Sequence, residues 1–291
     1  MVLGETMISV KQLKSIDLSS FTTILTGINV LIGIFIAIVA TIAIGVTSPG
    51  NLGIAIYVIP TIIVISFISG IYQNFSNGLF YNFLSTKLRN INLAFDENKL
   101  IKISTTGTAT IIAVITLIQV LLLYLVSVLI LPLVINATIQ TLLFGGQQVL
   151  AYNLYQILML LSQPMTIIMI IFGSFIITFV FVLIGTYIYN FIASKGRAVN
   201  LELSEENNLT AIESIDILSF SIAIAIIYAI LNLIIGAIML ISGGSFISLI
   251  TNVLSGLILG FIIAAIFAAG YNLLAPKIGK LKIELIDLKI N

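Results

Sequence analysis

The chain has 291 residues, of which 60% are hydrophobic and 8% charged, and twelve Lys or Arg against eleven Asp or Glu leave a net charge of +1. A water-soluble domain carries roughly a quarter charged residues, so this composition belongs to a protein built for lipid, and so small a net charge offers no footprint for nucleic acid. Without Cys or His the chain has no disulfides, thiol chemistry or haem ligation and lacks the commonest zinc ligands, so no metal or cofactor is expected, and with no catalytic motif and no acid, base or nucleophile arranged near the interface no enzyme activity is expected either.

All charged residues fall in four segments, 1–17, 87–102, 195–216 and 277–291. The charge-free stretches between them, 18–86, 103–194 and 217–276, are each long enough for two helices of about 20 apolar residues and a turn. The expected fold is an all-α integral membrane protein with six transmembrane helices, two per stretch, arranged as three two-helix repeats. An even number of crossings separates successive charged segments, so all four lie on one side. The positive-inside rule makes that side the cytoplasm, with both termini there and the chain multi-pass in the cell membrane.

In chain order, "KSIDLSSF" at 14–21 leads into the first helix, with Asp17 positioned as a helix N-cap. The first helix, about 21–46, carries Asn29 four residues before Gly33, which puts an amide and a close-approach site on one helix face. Gly33, Ala37, Thr41 and Gly45 continue that face as a stripe of small residues. The second helix, about 53–80, carries Gln73, Asn74 and Asn77. It ends in "YNFLSTKLRNINL" at 81–93.

That ending returns twice, as "YNFIASKGRAVNL" at 189–201 and "YNLLAPKIGKLKI" at 271–283. Each Tyr-Asn pair stands where a helix leaves the membrane. Tyr81, Tyr189 and Tyr271 are expected to hold the ring in the lipid boundary with the hydroxyl in water. Asn82, Asn190 and Asn272 are expected to bond carbonyls that the helix end leaves open, and Lys87, Lys195 and Lys277 to favour the helix C-terminus and anionic headgroups.

Beyond each lysine, apolar residues alternate: Ile91, Leu93, Phe95, then Val199, Leu201, Leu203, then Leu281, Ile283, Leu285. This predicts three short cytosolic β-strands, the third changing phase at Leu285-Ile286 like a bulge and continuing through Leu288 and Ile290. Asp96-Glu97 in "FDENK" and Glu205-Glu206 in "SEENN" read as solvated turns.

The middle copy begins with "KISTTGTA" at 102–109, where Ser104 takes the place of Asp17. Its helices, about 108–135 with Gln119 and about 165–188, flank the longest outer connection, 136–164. The second half of that connection predicts an interfacial helix over about 149–161, the alternative being a re-entrant tip at Gly145-Gly146. Asn136-Ala-Thr138 fits a glycosylation acceptor.

The last copy opens with "ESIDILSF" at 213–220, Asp216 again at the helix start. Its helices are about 220–242, with Asn232 four residues before Gly236, and about 246–270, with a small-residue stripe at Gly256, Gly260, Ala264 and Ala268. The three units are thus 1–98, 99–208 and 209–291. The amides Asn29, Gln119 and Asn232 read as helix-to-helix hydrogen bonds, alternatively as pore lining. The stripes read as packing between helices of this chain, alternatively as a face for self-association or a partner.

The combination of an S-I-D-x-x-S-F start, two apolar helices and a Y-N-x-L-A-x-K-x-G end resembles an uncharacterised prokaryotic family of small two-helix membrane proteins. Tyr271, Asn272, Leu274, Ala275, Lys277, Gly279 and Glu284 of the third unit carry the likeness best, and the first unit departs most. The resemblance implies three fused copies of such a unit in an archaeal or bacterial membrane protein, and implies no activity. The functional expectation is a non-catalytic structural or accessory membrane protein, a subunit or scaffold of a larger assembly, with the bilayer and a protein partner or second copy as its contacts. The alternative is a passive channel or transporter for a neutral or lipidic solute.

Overall fold

Long apolar runs without charges form helices because a helix satisfies its own backbone hydrogen bonds where lipid offers none. The structure, a computed structural model, describes residues 8–47, 50, 53, 55–88, 90–206 and 208–288. These hold seven helices: α1 Leu18–Thr47, α2 Ala55–Ser85, α3 Thr105–Phe144, α4 Gln148–Leu161, α5 Pro164–Ser194, α6 Ile217–Ile241 and α7 Phe246–Ile278. All but α4 are long and apolar enough to cross a membrane, the mark of a multi-pass membrane protein.

The described residues contain six strands rather than three: β1 Ile8–Ile16, β2 Ile91–Asp96, β3 Lys99–Ile103, β4 Val199–Glu206, β5 Leu209–Ile215 and β6 Leu281–Asp287. The predicted strands are β2, β4 and β6. The other three each precede the helix that follows a charged segment. All pair antiparallel in a closed barrel in chain order, β6 pairing back onto β1.

Closure leaves no free sheet edge, so the strands are not available for a partner's sheet to extend. Glu205 and Glu206 lie within β4 rather than in a loop, whereas Glu97 does turn the β2–β3 hairpin, at φ 53°.

Register shifts fall at matching places in three strand pairs. Leu13 and Ser15 oppose Leu285 and Glu284, leaving Lys14 as the extra residue; Ile101 and Glu213 are the extra residues opposite β2 and β4. The bulge beside Leu285 therefore belongs to β1, not to β6. Ile290 lies outside the described residues.

The described residues divide into two compact units, one from 1–108 with 183–291, the other 109–182. In the first, α1 packs on α2, α6 on α7, and α1 on α7. A Cβ on Gly33 would lie 2.2 Å from Ser66 Oγ of α2, and one on Gly256 would lie 3.0 Å from the Tyr228 carbonyl of α6. The small-residue stripes thus allow backbones to approach within this chain, which gains dispersion contacts that lipid could not supply. The core of this unit joins helices to barrel: Ile24, Ile28, Ala268, Tyr271 and Ala275 pack with Ile212 and Ile215 of β5, with Leu201, Leu203 and Leu281 against them.

In the second unit α4 packs on α3 through Ala151, Ile135 and Ile139.

Candidate functional site

The recurring Tyr-Asn pair sits in the last turns of α2, α5 and α7, and in all three copies the Tyr hydroxyl bonds a strand carbonyl and the Asn amide a strand end. Tyr81 donates its hydroxyl to the Leu13 carbonyl (2.6 Å), Tyr189 to that of Leu100, and Tyr271 to that of Ile212 (2.5 Å). The tyrosines are 4%, 6% and 1% exposed, so their hydroxyls are buried against strands rather than in water at the headgroups. Tyr189 also accepts from Val199 N–H and Tyr271 from Leu281 N–H (3.3 and 3.1 Å). Leu100 faces Val199, and Ile212 faces Leu281, where the β3–β4 and β5–β6 ladders are short. The Tyr189 and Tyr271 hydroxyls thus bridge the end of a ladder, with the carbonyl of one strand on one side and the N–H of its neighbour on the other.

The asparagines do not bond the helix-end carbonyls. The Asn82 side chain accepts from Ile16 N–H and donates to the Ile16 carbonyl, both at 2.8 Å. Asn190 pairs with Ile103 in the same way at 2.8 Å, and Asn272 with Ile215 at 2.9 Å. A carboxamide offers a carbonyl and an NH2 side by side, which matches the backbone of one residue at a strand end. Each pair fixes the end of one helix to the strand that leads into its partner helix.

Asp17 and Asp216 cap α1 and α6, each accepting from the backbone N–H three residues on, Ser20 and Ser219, at 2.8 Å. Those serines were not singled out from sequence. Ser20 Oγ accepts from Lys282 N–H and Ser219 Oγ from Asn200 N–H, while Ser104 does the same for Asn92 N–H with its own hydroxyl. The repeated D-x-x-S spacing was the available signal. Lys87 and Lys195 stand 5.3 and 5.7 Å from the centroids of the Phe83 and Phe191 rings, and Lys277 lies in the last turn of α7.

On the barrel, Glu206 binds Lys280 (3.1 Å) and Lys282 (2.9 Å), Glu213 binds Lys280 and Ser204, and Glu284 binds Lys14 (2.7 Å) and Ser15 (2.8 Å). Hydrogen bonds from Lys282 and Lys280 hold the Glu206 carboxyl below its usual range. Those from Lys280 and Ser204 do so for Glu213, and those from Lys14 and Ser15 for Glu284.

The intramembrane amides lie in separate places. Asn29 covers Gly70 of α2, and Asn232 donates to the Tyr228 carbonyl (2.9 Å) while covering Gly256 of α7. Gln119 belongs to the second unit. That unit holds an apolar cleft of about 440 Å³ between α3, α4 and α5, lined by Tyr124, Ser127, Pro132, Leu158 and Ile167 among others. No family model matches this chain, and neither does any curated protein or solved structure.

Proposed function

We propose that the chain is a non-catalytic structural or accessory membrane protein, built from three two-helix repeats and acting as a subunit or scaffold of a larger membrane assembly. One observation carries this reading. The polar motif that recurs three times is spent on the chain's own backbone, with the Tyr hydroxyls and the Asn amides bonded to strand ends. A motif of catalytic or transport groups would be expected to aim polar atoms at a substrate.

The partner in this reading is another membrane protein or a second copy, met through the apolar helices. The barrel takes the cytoplasmic side because every Lys and Arg of the chain lies in the segments that contain or adjoin its strands. The test is reconstitution of the purified chain in liposomes. Saturable movement of a solute by the single chain would sink the proposal; tight liposomes are the expected result.

A second reading, passage or carriage of a lipidic solute, is favoured by the apolar cleft of the second unit. It predicts that bulky substitutions at Ser127 and Leu158 abolish whatever flux is found.

A further inference from the structure

The lysines of the chain fall into groups with different partners. Lys11, Lys14, Lys280 and Lys282 are ion-paired with acids on the barrel. Lys87, Lys195 and Lys277, at the helix exits, are exposed and have no acidic partner among the described residues. Each has an apolar side chain four positions before it, Phe83, Phe191 and Leu273, and these are 56%, 61% and 53% exposed; Lys87 and Lys195 stand in the turn just past α2 and α5, and Lys277 in the last turn of α7. In two copies the ammonium lies over that ring, at a distance where the ring's negative face attracts it.

An exposed ring at the end of a membrane helix rests among acyl chains, so the cation above it is held at the depth of the phosphates. The Tyr and Asn bonds fix each helix end to the barrel, so the site is presented in the same way three times.

We propose that these three helix exits are binding sites for anionic phospholipid, with the phosphate taken by Lys87, Lys195 and Lys277 and an acyl chain lying along Phe83, Phe191 and Leu273. Unneutralised lysines above exposed apolar side chains complement a lipid that joins a negative headgroup to hydrocarbon. Lys11, Lys14, Lys280 and Lys282, already neutralised by Glu206, Glu213, Glu284 and Asp287, do not.

The experiment is native mass spectrometry of the full chain in detergent, titrated with phosphatidylglycerol and with phosphatidylcholine. Up to three phosphatidylglycerol molecules are expected to bind in preference to phosphatidylcholine. A lysine near an anionic surface contributes about fivefold, so Lys87→Gln with Lys195→Gln should lower the preference about fivefold at each of those two exits and leave the exit at Lys277 as it was. Lys87→Arg with Lys195→Arg should restore it, which separates lost charge from lost fold.

Lys99→Gln with Lys102→Gln removes equal charge from exposed positions on β3 and should leave the preference unchanged. An equal fall in this strand variant would overturn the proposal in favour of general charge. So would the absence of any preference in the unmodified chain, or displacement of the lipid by millimolar inorganic phosphate.

Discussion

The side chain of Asn272 pairs with the backbone of Ile215 as a neighbouring strand would, its Oδ1 taking the N–H and its Nδ2 giving to the carbonyl, both at 2.9 Å. The same pairing at Asn82–Ile16 and Asn190–Ile103 makes the helix ends and the barrel one mechanical body at three points.

Asn272→Ala removes both bonds and strands two backbone groups of Ile215 in a half-buried place. A loss of about 2–3 kcal/mol is expected, measured as the thermal midpoint of the purified protein in detergent. Asn272→Asp should cost at least as much, since a carboxylate oxygen then faces the Ile215 carbonyl. Asn82 and Asn190 should respond alike.

Tyr189→Phe keeps the ring and deletes the hydroxyl between Leu100 and Val199, where β3 and β4 share two paired positions. About 1–2 kcal/mol of stability should be lost. Amide hydrogen exchange should rise at Val199 and Asn200 before it rises in β4–β5.

At Gly33, where an added Cβ meets Ser66 Oγ at 2.2 Å and Ser66 Cβ at 2.7 Å, Gly33→Ala should destabilise by about 1–3 kcal/mol. Adding Ser66→Gly moves the small residue to the other helix and should recover most of the loss, a coupling that a double-mutant cycle reads directly. Gly256→Ala meets the Tyr228 carbonyl and the Asn232 amide and has no such simple rescue.

Stability should fall in acid. Lys282 and Lys280 hold Glu206 below its usual 4.5, and Lys280 with Ser204, and Lys14 with Ser15, do so for Glu213 and Glu284. Carboxylates depressed on folding stabilise the protein above their unfolded values and lose that contribution as pH drops through the folded ones. Lys280, raised above 10.5 chiefly by Glu213 and then Glu206, contributes below that value and loses it as pH rises through its folded value. The thermal midpoint should therefore be flat between these limits and drop below pH 4.5. Lys280→Met should shrink the acid step.

The helices were legible because a charge-free run in lipid has one stable form, and β2, β4 and β6 because Ile91-Leu93-Phe95 and its counterparts alternate cleanly between polar neighbours. The strands β1, β3 and β5 were hidden by their own bulges. An extra residue at Lys14, Ile101 and Glu213 spaces the apolar positions three apart, Leu13 to Ile16, Leu100 to Ile103 and Ile212 to Ile215, and the period of two is lost.

With those strands unread, the Tyr and Asn side chains had no visible partner except the headgroups and their own helix ends. The acids of "SEENN" looked solvated for the same reason: Lys280 and Lys282, which bind Glu206, are far away in the chain.

The most direct measurement is the mass of the intact particle after extraction in mild detergent from its native membrane. An accessory or scaffold protein should emerge at a mass above the 31.4 kDa of one chain plus bound lipid, in a fixed ratio with itself or a companion. A monodisperse single chain, especially one that moves a solute in liposomes, would contradict the account.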